Sequence, residues 1–241
     1  MEPQNTLYPS YTFAFQPIVD AVARTIVSQE ALIRGLNQES AWQILQQVPP
    51  VNRNLFDQES RLQAIYLAMR LGLKTLLNLN FPPQGLQDSP RSILSIIEAA
   101  NAAHLPVERI VLEVTEGEVI NDPAQFSKLI NQYRSYGLKL AIDDFGKGYS
   151  GLNLLSDFQP DQIKLDIELV RDIDRNGPRQ AIVGALCQIC LDLGIDVIAE
   201  GVESVDEYAW LASEGIRFFQ GFLFARPAFE AFATVHYPDL P

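Results

Sequence analysis

Oxygen-bearing and charged side chains recur in this chain at or near the C-terminal ends of short apolar runs. Glu30 and Arg34 lie in one run, Asn78 in the next, and Glu113 followed by Glu116 close a third. Asp143 and Asp144 end a fourth, Lys164 and Asp166 a fifth, Glu200 and Glu203 a sixth, and Gln220 a seventh. The metal-ligand candidates among them are carboxylates and an amide, with no histidine or cysteine. Such oxygen donors suit Mg²⁺, Mn²⁺ or Ca²⁺ rather than zinc. Together Glu30, Asn78, Glu113, Asp143, Asp144 and Glu200 carry more negative charge than one divalent ion offsets. Two ions sharing a carboxylate hold such a group better, and paired ions recur in phosphoryl chemistry. Asp143 is the natural bridge, since an acid at a buried strand end is costly without a cation to meet it. The plainer readings are solvated strand ends for the acids and, for Lys164, a structural salt bridge to Asp166 or Glu200.

The elements that must position these residues follow from periodicity. Strand-like runs cover 75–80, 109–115, 139–143, 162–166, 196–200 and 217–220, with helical patterns near 40–48, 54–71, 89–103, 123–136, 180–193 and 204–214 and a shorter one after Gly151. Gly137, Gly194 and Gly215 fall just past a helical pattern, where helices end. Alternating β and α elements argue for a parallel sheet. The beginning differs. Runs 11–19 and 26–33 are separated only by 20–25, too short for a parallel crossover, so that pair is antiparallel. The expectation is an α/β fold: a TIM-type (β/α)8 barrel of eight strands with the first strand antiparallel, a doubly wound open sheet being the alternative. In a barrel the strand-end residues converge on the C-terminal mouth.

Bulk properties narrow the classes further. The 241 residues show no linker or low-complexity segment, so 1–241 reads as a single domain with the barrel at about 11–227. No run of apolar residues is long enough for a membrane span. The N-terminus has no signal-peptide pattern, and the chain reads as cytoplasmic. A net charge of −12 argues against binding a DNA or RNA duplex through a basic surface. Cys187 and Cys190 share a helix face and read as packing, and His104 and His236 are isolated.

Eight segments in order resemble a known family: FQP at 15–17, QEALIRG at 29–35, LNLN at 77–80, LEVTE at 112–116, DDFGKGYSGL at 143–152, DQIKLD at 161–166, AEGVE at 199–203 and QGFLFARP at 220–227. The chain is similar to the EAL domain of cyclic di-GMP phosphodiesterases, in particular the subgroup attached to blue-light sensor domains. The resemblance implies a TIM-type barrel with an antiparallel first strand, and metal-dependent hydrolysis of cyclic di-GMP to linear pGpG. It implies that Glu30, Asn78, Glu113 and Asp143 hold one Mg²⁺ or Mn²⁺ and that Asp143, Asp144 and Glu200 surround a second. Calcium is expected to occupy the site without supporting catalysis. Lys164 would hold the water and Glu200 would act as base. Gln16, Leu32, Arg34 and Phe222 would contact the nucleotide, with Glu203 and Gln220 orienting groups from behind and Asp166 beside them. Glu116 would anchor the loop 145–151, which is implicated in dimer contacts.

Gly35, Asn80 and Lys147 depart from the family pattern without removing a metal ligand. The resemblance also implies a homodimer. With ten residues before the barrel, regulation is expected from a partner protein or a sensor domain in a longer parent. The runner-up is a silent cyclic di-GMP receptor or interaction module on the same fold.

Overall fold

The computed structural model describes residues 8–81, 89–115, 130–147 and 151–239. Strand β1 (Tyr11–Asp20) turns back through a tight loop into β2 (Thr25–Gly35), the two pairing antiparallel from Tyr11↔Gly35 to Asp20↔Thr25. The turn is held by Asp20, whose Oδ1 accepts from the amides of Val22 at 3.0 Å and Ala23 at 2.9 Å. Its Oδ2 accepts from Arg217 Nε at 2.6 Å.

From β2 onward the sheet is parallel: β3 (Leu76–Asn80), β4 (Ile110–Thr115), β5 (Lys139–Phe145), β6 (Gln162–Leu165), β7 (Asp196–Ala199) and β8 (Phe218–Phe219) follow in chain order. The circle closes because β1 also pairs antiparallel with β8, through Val19↔Phe219 and Asp20↔Phe218. The expected eight-stranded barrel with one reversed strand is therefore the observed one. A short strand not anticipated from the sequence, β9 (Ala228–Phe229), pairs with the other end of β1 at Ala14↔Phe229 and Phe15↔Ala228. Pro17 falls in the gap between these two pairings, where the missing N–H of a proline costs least. All ten residues of β1 are buried, which is why it reads as a nearly continuous apolar run.

The helices are α1 (Ala41–Leu45), α2 (Arg53–Arg70), α3 (Ser89–Ala102), α4 (Gly151–Phe158), α5 (Ile167–Val170), α6 (Gly177–Leu193) and α7 (Val205–Ser213), with a further helical stretch at 130–135. Their ends follow local chemistry. Ser40 with Gln43, and Ser204 with Glu207, form reciprocal capping boxes at the starts of α1 and α7. Gly194 ends α6 in the left-handed conformation at φ 71°, as its position predicted. The four-residue α5 escaped the periodicity reading because it is too short to show a period; Asp166 caps it, accepting from Glu168 N at 2.8 Å. Cys190 is buried in the core and Cys187 packs against it, both as free thiols, in agreement with a packing role.

Candidate active site at the barrel mouth

In a regular strand, adjacent side chains point to opposite faces, so Asp143 and Asp144 cannot both serve one site without an irregularity. β5 supplies it. Its register with β6 shifts between Ile142 and Phe145, and Asp144 takes φ 53°. Aspartate tolerates this left-handed conformation better than most residues. Gly146 follows at φ 99°, turning the chain away. Both carboxylates then line a cavity of about 300 Å³, together with Glu30, Lys164, Asp166, Glu200 and Glu203. Gln16, Leu32, Gln220 and Phe222 line the same cavity.

Lys164 is the electrostatic centre. Only 1% of its surface is exposed. Its Nζ lies 2.7 Å from Glu200 Oε1, 2.8 Å from Glu113 Oε1, 3.2 Å from Asp143 Oδ1 and 3.4 Å from Glu30 Oε2. Asp166 is not among its ion-pair partners; that carboxylate caps α5 instead. Burial works against the ammonium charge, but the carboxylates of Glu113, Glu200, Glu30 and Asp143 outweigh it and raise the Lys164 pKa well above the ordinary value. One ammonium cannot satisfy four acids. Burial pushes the Glu113 carboxyl up to about 8, with Lys164 opposing and Glu30 and Asp143 adding to the rise. Burial likewise raises Glu200 well above the usual carboxylate range, Lys164 opposing and Asp143 and Glu30 adding. Asp144 is raised by burial and then by Asp143. A site whose acids resist ionisation for lack of positive charge is one that further cations stabilise.

Beneath the cavity, Asn78 and Glu113 are 0% and 2% exposed. Parallel register sets Glu30 level with Asn78, and Asn80 level with Glu113. Asn78 Nδ2 donates to Glu113 Oε1 at 2.8 Å, and the Asn78 carbonyl accepts from the Ser28 hydroxyl. This fixes the amide with its oxygen toward Ser28. Gln220 Nε2 donates to Glu30 Oε2 at 2.6 Å and reaches Gln16 Oε1 at 3.5 Å, so Gln220 orients Glu30 from behind. Gln16 is itself held by donation to the Ala225 carbonyl at 3.2 Å.

The donor set fits a divalent cation. Glu113 Oε2 is buried without a hydrogen-bond donor among the described residues, and Asp143 Oδ1 has only the ion pair with Lys164. Among the same residues, no three acidic side chains are already gathered around one point as a finished cage. They face the lysine instead.

One expected residue stands apart. Arg34 does not line the cavity: it is half-buried, its Nη1 donates to the Ile33 carbonyl at 2.7 Å, and burial lowers its pKa with Glu30 opposing. Motif position alone could not show that the neighbouring backbone carbonyl competes for the guanidinium. Glu116 and residues 148–150 of the glycine loop lie outside the described residues. Glu203 does line the cavity, paired with Arg171 at 2.8 Å, an interaction that lowers its pKa. Lys147 reaches Asp144 at 3.8 Å.

Three side chains were missed in the sequence. Ser28 precedes Glu30 by two residues, and the period of a strand could have marked it as sharing that face. Arg171 carries no local signal. Arg226, whose guanidinium lies 4.1 Å from the centroid of the half-exposed Phe222 ring, sits inside a motif but was passed over.

Comparison with known proteins agrees with this architecture. The family model described as "EAL domain" matches residues 9–227. The blue light- and temperature-regulated antirepressor BluF of Escherichia coli is 36% identical over 228 residues, covering 94% of this chain and 57% of BluF. Cyclic di-GMP phosphodiesterase PdeR of Escherichia coli is 35% identical over 157 residues, covering 65% of this chain and 23% of PdeR. Klebsiella pneumoniae BlrP1, solved with calcium and cyclic di-GMP, superposes with a TM-score of 0.91 at 44% identity, covering 98% of this chain and 60% of that one. BlrP1 has also been solved with manganese and cyclic di-GMP. The chain thus spans little more than half the length of BluF and BlrP1, and less of PdeR. With a matching model over nearly its whole length and the family's barrel closed by a reversed first strand, this chain belongs to the EAL domain family.

Proposed function

We propose that the chain hydrolyses cyclic di-GMP to linear pGpG with the help of divalent metal, as a single domain over 1–241. The observation that carries this reading is the ring of Glu30, Glu113, Asp143 and Glu200 around Lys164, with Asn78 and Asp144 beside it. Glu30, Asn78, Glu113 and Asp143 would hold one Mg²⁺ or Mn²⁺, and Asp143, Asp144 and Glu200 the second. Such ions, when bound, supply Lewis acidity toward a phosphoryl oxygen and lower the pKa of water.

The protein's own contribution is to position groups and move protons. A water oxygen forms the new bond to phosphorus while the bond from phosphorus to the ribose 3′ oxygen breaks. That oxygen leaves with the electron pair and takes a proton from solvent to become the 3′-hydroxyl, and a 5′-phosphate remains on the linear product. Glu200, at the cavity wall beside Lys164, takes the proton from that water. Lys164 donates toward the same oxygen and keeps its charge because of the acids around it. Gln220 keeps Glu30 turned inward through its 2.6 Å hydrogen bond. Phe222, half exposed and backed by Arg226, offers a face to a guanine, with Gln16 and Leu32 lining the same cavity. Arg34 would have to leave the Ile33 carbonyl to offer its fork to a phosphate.

Calcium fits the same oxygen donors, and we infer that it binds without supporting turnover. Regulation by homodimerisation, and by a sensor domain or separate protein, fits the sensor-linked relatives. No helix among the described residues is long and apolar enough to cross a membrane; a cytoplasmic location is inferred from the substrate.

A second reading, a silent receptor or interaction module, is prompted by BluF being named an antirepressor. The intact carboxylate ring favours the enzyme. The deciding experiment incubates purified chain with cyclic di-GMP and Mg²⁺ or Mn²⁺, with an EDTA control, and separates products by chromatography. Metal-dependent pGpG is expected. Unchanged substrate at concentrations where cyclic di-GMP binds would turn the assignment to a receptor.

A further inference from the structure

A second and larger cavity, of about 730 Å³, lies between β2 and helices α1 and α2 and reaches the ends of β3 and β4. Its volume suits a small organic ligand. The walls are mostly apolar and aromatic, with Phe56 and Phe81 buried and Trp42 exposed. Into this space α2 places Arg61. That side chain is 3% exposed, and Nε, Nη1 and Nη2 all lack an acceptor among the described residues.

A buried guanidinium with every donor unsatisfied is expensive, and native structures rarely leave one so. The guanidinium carbon lies 4.6 Å from the centroid of the Phe81 ring. An aromatic face attracts the cation but accepts no pair of in-plane hydrogen bonds. Asp57, one turn earlier on α2, also lines the cavity but makes no ion pair with Arg61. Burial draws the Arg61 pKa down to about 10, with Asp57 and Tyr133 opposing, so the group remains a cation at neutral pH. A planar fork of donors matches a carboxylate in two parallel bonds. The apolar walls then call for an apolar body behind that head group. The chain's overall acidity disfavours a polyanion.

We propose that this cavity is a binding site for a small monocarboxylate with an apolar body, its head group held by Arg61 and its body by the aromatic wall. Glu30 and Leu32 line both this cavity and the one at the barrel mouth. An occupant therefore lies against the strand that carries the first catalytic carboxylate.

The test uses octanoate as probe and octanol as its uncharged counterpart, both titrated calorimetrically into the metal-free chain. Neither needs metal or cyclic di-GMP, so the result is independent of whether the chain is a phosphodiesterase. Octanoate is expected to bind at least about tenfold more tightly than octanol, the order expected from hydrogen bonds to a charged group. Arg61→Met should erase that preference. Should Arg61→Met fail to fold, Ala41→Phe narrows the same cavity from α1 without touching the guanidinium and should weaken octanoate by a similar factor. The proposal is overturned if octanoate does not bind, if octanol binds as well, or if either folded variant binds octanoate like the parent chain.

Discussion

A single lysine organises the acidic mouth of the barrel, and the consequences differ for each partner. Removing Lys164 leaves Glu30, Glu113, Asp143 and Glu200 facing one another, and breaking a buried ion pair of this kind costs about 3–5 kcal/mol. Lys164→Met is therefore expected to melt well below the parent chain in EDTA, and Mn²⁺ should restore more stability to the variant than to the parent. Equal Mn²⁺ responses in thermal denaturation would show that the lysine and the metal do not share the same acids. Glu30→Ala should remove activity by opening the first metal position while leaving the fold intact. Full activity in that variant would dismiss the metal assignment. Asn78 and Ser28 show how far such a site extends below its visible lining, since the amide is fixed by a hydroxyl that never reaches the cavity.

At the scale of elements, β5 and the β1–β2 hairpin carry the burden. The left-handed Asp144 can be separated into backbone and carboxylate by substitution. Asp144→Gly keeps the bend, so stability should stay within about 1 kcal/mol, while activity falls because a carboxylate is lost. Asp144→Val forces a β-branched residue to φ 53° and should cost about 1–3 kcal/mol more. Urea titration of the two variants distinguishes the outcomes.

In the hairpin, donation from Arg217, opposed by burial and reinforced by the Ala23 amide, holds Asp20 below the ordinary carboxylate range. A depressed folded pKa contributes stability fully above the unfolded value of about 3.9 and loses it as pH falls through the folded value. Asp20→Ala should then cost about 2 kcal/mol at pH 7. Its deficit should shrink in acid; an unchanged deficit at pH 3 would mean the charge is irrelevant to the turn.

For the molecule as a whole, the barrel is closed by strand-to-strand hydrogen bonds around a continuous apolar core. Lys164 supplies positive charge to the acids in the metal-free state. Chelation should accordingly abolish turnover while lowering the melting temperature only modestly, a separation that differential scanning fluorimetry and product chromatography can read on one sample. Complete unfolding in EDTA would mean that the lysine does not suffice.

The order of strands, the reversed first strand and the residues at strand ends were legible because they depend on local rules. Six intervening residues cannot cross over to a parallel neighbour, and Gly194 must end α6 in a conformation that glycine adopts readily. The convergence of Glu30, Glu113, Asp143 and Glu200 followed from strand order once a barrel was assumed. Tertiary structure alone decided that these acids share Lys164 while Asp166, on the same cavity wall, caps α5 instead of pairing with it, and that Arg34 bonds a neighbouring carbonyl rather than reaching the cavity. It alone placed β9 against β1 and left Arg61 without an acceptor among the described residues, inside a helix-covered cavity. The shared lysine, the β9 pairing and the state of Arg61 turn on which distant group lies within about 3 Å of a side chain or strand. Asp166 and Arg34 take local backbone partners, a choice over the cavity that is settled only once the distant alternative is placed. The spacing of residues along one chain does not contain that distance.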